Sequence, residues 1–185
     1  MSTEFRKEVF FDMETTGLSP FDSQIITIQV RVDGRNIVWP VWEGSEREVV
    51  GSFLSFTEEV LRLSTRFIGY NVLKFDVPFL TERMRSLGLL TFESWERLNR
   101  ELNWFDLYQF LGDRFGRFRE WKVGLTGRAV ETVNREIPSL YAERDYDKIL
   151  EYVHDEMEGY ELVYNAIKRE RFYSELMALR ERLLR

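Results

Sequence analysis

The chain has 185 residues, one histidine, no cysteine and a formal net charge of −6. That length suits one folded unit over 1–185 with a core of its own, and the lack of cysteine excludes a disulfide framework, a thiolate metal site and a cysteine nucleophile. Hydrophobic residues at 44% and charged residues at 31% exclude a disordered chain, while the short, charged N-terminus and the absence of a membrane-length apolar run lead us to expect a cytoplasmic protein with no membrane contact.

In chain order, residues 8–13 read as a strand closed by the turn signal "TGLSP". "QIITIQVRV" at 24–32 is β-branched and alternating, "DGR" is a hairpin turn, and "NIVWPVW" returns as a third strand whose Pro40 marks an edge. The period then lengthens. Ser45 with Glu48 three residues on is a capping-box signature at the head of a helix over 45–64. "RFIGYN" at 66–71 reads as a short buried strand, and "DVPFLTERMRSLGL" as a helix with Pro78 in its first turn and Gly88 near its end. "NWFDLYQFLG" reads as a strand running into a helix. "GLTGRAVETVNRE" at 124–136 reads as a helix, residues 144–170 as a long one, and a last amphipathic helix runs to the C-terminus. Three antiparallel strands followed by alternating helices and short strands predict an α/β fold, a mixed sheet with helices on its faces. Trp39, Trp42, Trp95, Trp104 and Trp121 are assigned to packing.

Charge is unevenly spread. Residues 164–185 carry six basic and three acidic side chains, which leaves the preceding residues at −9. An acidic body with a basic tail suits a carboxylate site beside a phosphate-contacting edge, although a mixed-charge helix is also simply a solvated one.

Three groups of acids stand out. Asp12 and Glu14 lie two apart on the first strand, so their carboxylates point to the same face. Like charges that close resist ionising, and a divalent cation is the usual compensation; oxygen ligands without cysteine suit Mg²⁺ or Mn²⁺. Asp76 opens a helix among apolar neighbours, where an aspartate is ordinarily an N-cap. Tyr152 shares a helix face with both Asp155 and Glu156.

Together these stretches resemble the DEDD (DnaQ-like) superfamily of 3′–5′ exonucleases, which have the ribonuclease H-like fold. "FDMETTGLSP" resembles its first motif, Asp-x-Glu. "YNVLKFDVPFL" resembles its second, in the Asn-x-x-x-Phe-Asp form of family B DNA polymerase proofreading domains. "EYVHDEMEGYELVY" resembles the third in its tyrosine version. The order and spacing agree over about residues 8–167, nearly the whole chain. One departure stands: the family's third motif ends in Asp four residues after Tyr, and here that residue is Glu156, with Asp155 one position earlier as the alternative fourth acid. His154 has Gly159 five residues on, so it does not fit the histidine version and is read as a helix-surface residue.

The resemblance implies a catalytic set of Asp12, Glu14, Asp76, Tyr152 and Glu156. It implies two divalent ions, Mg²⁺ or Mn²⁺, held by Asp12, Glu14, Asp76 and Glu156 or Asp155. Such a pair, roughly 3.5–4 Å apart, activates water on one side of a phosphodiester and stabilises the leaving 3′ oxygen on the other. Tyr152 would orient the water and need not ionise, its unperturbed pKa being about 10. Thr15, Thr16, Gly17, Leu18, Asn71 and Phe75 match substrate-contacting positions; Phe75 serves equally well as a stacking platform or as core. The expected substrate is single-stranded DNA with a free 3′ end, acted on by a stand-alone enzyme, with a polymerase or repair protein as partner in trans. The competing expectations are an exoribonuclease, which contacts to the 2′-OH would distinguish, and a nuclease-like module that binds nucleic acid or protein without cleaving.

Overall fold

The computed structural model describes residues 7–61, 65–111, 118–127 and 134–169. The expected C-terminal amphipathic helix lies outside them. Five strands form one sheet: β1 (Lys7–Thr15), β2 (Ile25–Val32), β3 (Arg35–Pro40), β4 (Thr65–Gly69) and β5 (Asn103–Asp106). Their order is β3-β2-β1-β4-β5. β1, β2 and β3 are antiparallel neighbours, while β4 and β5 run parallel to β1, so the sheet is mixed. β1 is central, and Val9 to Glu14 are all buried. β3, which ends at Pro40, is an edge strand, where the missing N–H costs the ladder nothing. The hairpin turns through Asp33 and Gly34, both at positive φ.

The strand alternation sorts β1 between two cores. Val9, Phe11 and Met13 join Phe53, Phe67 and Leu80 on the face covered by α1 (Glu46–Leu61) and α2 (Asp76–Ser86). Phe10 faces the other way, into a cluster with Leu107, Trp121, Met157 and Tyr160. That second face carries α4 (Leu107–Leu111), α5 (Phe118–Thr126), α6 (Ile137–Glu143) and α7 (Tyr146–Lys168). A short α3 (Phe92–Glu96) runs into a π-type turn at Arg97–Glu101 before β5. Asp12 and Glu14 share the parity of Phe10, so the two acids face α7.

The capping box forms: Glu48 N–H donates to Ser45 Oγ at 3.3 Å, and Ser45 N–H donates to Glu48 Oε2 at 2.8 Å. The described parts of the helix expected at 124–136 depart from it. α5 begins at Phe118 and closes at Thr126, where Gly127 adopts a φ of +66°, the left-handed conformation that ends helices. Residues 128–133 lie outside the described segments, and Asn134–Glu136 form a 3₁₀ turn into α6. Both α6 and α3 are short and carry too little periodic signal to be read from the sequence. Four of the five tryptophans pack against aromatic neighbours or are buried: Trp39 on Phe53 and Phe56, Trp104 on Phe11 and Phe67, Trp42 stacked on Tyr146 at 4.3 Å, and Trp121 within the second core. Trp95 is half-buried beneath the Arg100 guanidinium.

Candidate active site

β1 runs on through Glu14 to Thr15, so both acids sit within the strand rather than beyond its exit. Across the antiparallel ladder Asp12 faces Gln29 and Glu14 faces Thr27. The register then slips, with Thr15 opposite Ile25, leaving Ile26 as an extra residue on β2. Such a bulge re-aims a side chain, and Ile26 packs with Ile149, Tyr152 and Val153. The irregularity therefore seats the Tyr152 turn of α7 beside Glu14.

Asp12 is held from two directions. Gln29 Nε2 donates to its Oδ2 at 2.9 Å, and the Tyr160 hydroxyl donates to its Oδ1 at 3.3 Å. Burial, then the charge of Glu156, nevertheless pushes its carboxyl up to about 7 from an ordinary 3.8. Glu14 is raised well above the usual carboxylate range by burial and then by the charges of Asp12, Glu156 and Asp76. Asn134 Nδ2 donates to Glu14 Oε2 at 3.4 Å, while Glu14 Oε1 is buried with no hydrogen-bond partner among the described residues.

Asp76 is not an N-cap. Phe75 occupies that position, with no side-chain cap bond, and Asp76 is the first helical residue, 3% exposed. Its pKa rises through burial and then through repulsion from Asp12, with Asp106 contributing. The chain reaches Asp76 through a tightly built loop. Gly69 ends β4 against Phe11, whose carbonyl oxygen would stand 2.5 Å from an added Cβ. Asn71 has a φ of 61°, and its N–H donates to Asp106 Oδ1 at 2.8 Å; Leu73 and Tyr108 N–H also donate to the Asp106 carboxylate. Phe75 is half-buried and packs on Phe79 against the first core.

On α7, Tyr152 is buried, accepts a hydrogen bond from Asn134, and is shifted upward by burial and then by the charges of Glu156, Glu14 and Asp12. Asn134 thus contacts both Glu14 and Tyr152. His154 is exposed. Asp155 and Glu156 both pair with the ammonium of Lys122 on α5, the latter at 3.1 Å. Of these two acids, Glu156 is the one whose charge raises Asp12, Glu14, Tyr152 and Tyr160.

Thr15 to Leu18 form the start of the loop to β2. Thr15 Oγ1 donates to Gly17 O at 2.7 Å, Thr16 N–H donates to Gln24 O at 2.9 Å, and Gln24 N–H donates to Thr16 Oγ1 at 3.0 Å. Arg83 clamps the loop from α2, donating to Pro20 O at 3.0 Å and pairing with the buried Glu46, which in turn accepts Ile25 N–H. Leu18 stands 85% exposed at the tip of this braced loop.

Sequence reasoning missed Gln29, Asp106, Lys122, Asn134 and Tyr160. Tyr160 had a readable signal, since Tyr152, Glu156 and Tyr160 recur every four residues on one helix face. Nothing local marks the others.

Asp12, Glu14 and Asp76 thus all carry raised carboxyls, with the charge of Glu156 adding to the first two, and the four acids come from three separate segments. Mutually repelling buried acids, one with an orphaned oxygen, fit a divalent cation among Asp12, Glu14 and Asp76. Among the described residues no group of three or more acidic or histidine side chains already stands in a metal-holding arrangement. Asp155 and Glu156 are turned instead to Lys122.

Residues 9–149 match the family model RNase_H_2, described as the RNase_H superfamily. This chain belongs to the RNase H superfamily. The match stops short of Tyr152 and Glu156. No curated protein matches the chain. Among solved structures, the chain is similar to the family B DNA polymerase from the hyperthermophilic archaeon Pyrobaculum calidifontis, with a TM-score of 0.72 and 17% identity. The similarity covers 86% of this chain and 24% of that polymerase, so the chain spans about a quarter of its length. At that identity the likeness establishes the fold. Among the described residues no helix is long and apolar enough to cross a membrane.

Proposed function

We propose that this RNase H superfamily member is a divalent-metal-dependent 3′–5′ exonuclease acting on single-stranded DNA ends. The observation that carries the reading is the burial of Asp12, Glu14 and Asp76 together beside Tyr152, where each carboxyl is raised by burial and by its acidic neighbours. Holding such charges together is costly unless a cation compensates them. Bound there, Mg²⁺ or Mn²⁺ would supply Lewis acidity and an activated water.

The chain's own residues then have distinct tasks. Gln29 and Tyr160 fix the orientation of Asp12. Asn134 ties Glu14 to Tyr152, so that the phenol, neutral throughout, stays aimed at the acids and can orient a water. Thr15 to Leu18, braced by Glu46 and Arg83, and the Asn71–Phe75 loop, braced by Asp106, flank the acids as walls for a terminal nucleotide. Membership of the RNase H superfamily, with a fold like that of a family B DNA polymerase, supports a nucleic-acid substrate and a polymerase or repair partner.

One observation favours a non-catalytic module: the third-motif acids are engaged by Lys122. End-labelled single-stranded DNA and RNA, each with Mg²⁺, Mn²⁺ or EDTA, decide between the readings. Stepwise shortening from the 3′ end with metal and none with EDTA is expected. Equal rates in EDTA and metal would end the metal-dependent reading; strand binding without cleavage under every condition would favour the module. Faster turnover of RNA would move the substrate to the exoribonuclease.

A further inference from the structure

We propose that Lys122 is a resident cation of the site, standing where the resemblance implies one of two metal ions, so that the chain takes a single divalent ion. This rests on the metal-dependent reading above and alters its stoichiometry.

Lys122 is 3% exposed, and its ammonium pairs with Asp155 and with Glu156. A lysine is almost never buried unless its charge is matched. Its burial is also prepared by the facing helix. A Cβ placed on Gly159 would stand 2.6 Å from Lys122 Cδ, 3.0 Å from Cε and 3.2 Å from Cγ. Gly159 is thus a notch in α7 through which the lysine stem crosses, one turn beyond the acids it reaches. A flexible surface lysine that had merely found two carboxylates would need no such groove.

The charge distribution divides the site in two. At the α7 end, two carboxylates share one ammonium, which offsets part of their charge but has no Lewis acidity and no vacant coordination position. At the β1 end lie Asp12, Glu14 and Asp76, all three buried and none in an ion pair among the described residues. Beside them, three buried oxygens have no hydrogen-bond partner among the described residues: Glu14 Oε1, Thr27 Oγ1 and Gln29 Oε1. Thr27 and Gln29 are the cross-strand partners of Glu14 and Asp12, so all three oxygens belong to one patch on one sheet face. Buried acceptors left unpaired are expensive. A hydrated divalent ion answers that patch, offering positive charge to the carboxylate and O–H donors to the neutral oxygens.

The test is the number of ions bound, read on the full chain by titration calorimetry with MnCl₂ and by manganese electron paramagnetic resonance. One ion per chain is expected for the native protein, two for Lys122→Met, which keeps the apolar stem and removes the charge, and one for Lys122→Arg. Two ions on the native protein overturn the proposal even if Lys122→Met fails to fold, and so does a Lys122→Met protein that still takes one. No Mn²⁺ bound by either protein overturns the metal-dependent reading, and this inference with it.

Discussion

Tyr160 donates its hydroxyl to Oδ1 of Asp12 from a position 148 residues further along the chain. The hydroxyl stabilises the ionised carboxylate against the burial and repulsion that raise it. Tyr160→Phe removes that donor while keeping the ring in the core. The acidic limb of the pH–rate profile should then move to higher pH, with a loss on the order of 1.5–3 kcal/mol in stabilisation of the charged form. A profile superimposable on the native one would show that the bond does not tune Asp12.

Tyr152→Phe separates orientation from metal binding. Its hydroxyl meets Asn134 and lies in the field of Glu14, and it is not proposed as a ligand. Turnover should fall by on the order of 10²-fold or more, with Mn²⁺ affinity by calorimetry unchanged. Asp12→Ala, by contrast, should abolish cleavage and weaken the ion together. Equal loss of Mn²⁺ affinity in both variants would place the phenol among the ligands.

The cation should stabilise the fold more as the pH rises. Asp12 titrates at about 7 in the folded protein and near 3.8 when unfolded, and Glu14 and Asp76 shift the same way. Between those values the cation-free folded state holds more protons than the unfolded one, so its stability falls as pH increases. The penalty is absent below the unfolded pKa and complete above the folded one. A divalent ion removes it by favouring the ionised acids. The melting temperature without metal should therefore drop from about pH 5 to about pH 8, and the upward shift caused by Mn²⁺ should grow over that interval. A Mn²⁺ shift independent of pH would dissociate the ion from these carboxylates.

Gly159→Ala should change sign with residue 122. In an open helix interior the substitution stabilises by about 0.8–1.0 kcal/mol. Here the added methyl meets the Lys122 stem at 2.6 Å, and the stem is enclosed. Denaturant titration should show destabilisation in the native background and a gain in Lys122→Ala, where the notch is empty. Stabilisation in both backgrounds would mean that the stem moves aside freely.

The Glu46–Arg83 pair should act on the site from outside it. Glu46 is buried, pairs with Arg83 at 2.6 Å and also accepts Ile25 N–H at 2.8 Å. Glu46→Ala leaves a guanidinium and an amide without that acceptor, at a cost of about 3–5 kcal/mol. The Thr16–Gln24 loop should then exchange its amide hydrogens faster than β1 does. An unchanged denaturation midpoint would show that the pair contributes little to the fold.

Most of the scaffold was legible because it rests on short-range chemistry. The antiparallel hairpins follow from alternation and from Asp33–Gly34, the head of α1 from the Ser45–Glu48 reciprocal bonds, and the edge position of β3 from Pro40. Of the helix expected at 124–136, the described parts differ: the periodicity of "FREWKVGLT" begins earlier and Gly127 stops it, a conflict between a weak pattern and one left-handed residue. Asp76 read locally as a cap, since any aspartate opening a helix does; only the packing of α2 against β1 turns it toward Asp12.

By itself, then, the sequence determined the strands, the principal helices, and the parity that puts Asp12 and Glu14 on one face, because each depends on neighbours a few residues apart. Tertiary structure alone decided what surrounds those acids. Gln29 reaches Asp12 across a strand register, Asn134 reaches Glu14 over 120 positions, and Lys122 reaches Glu156 through a groove that exists only when α5 lies on Gly159. A charge or a donor acquires its partner from distance in space, and for a folded chain that distance is set by packing rather than by separation along the backbone.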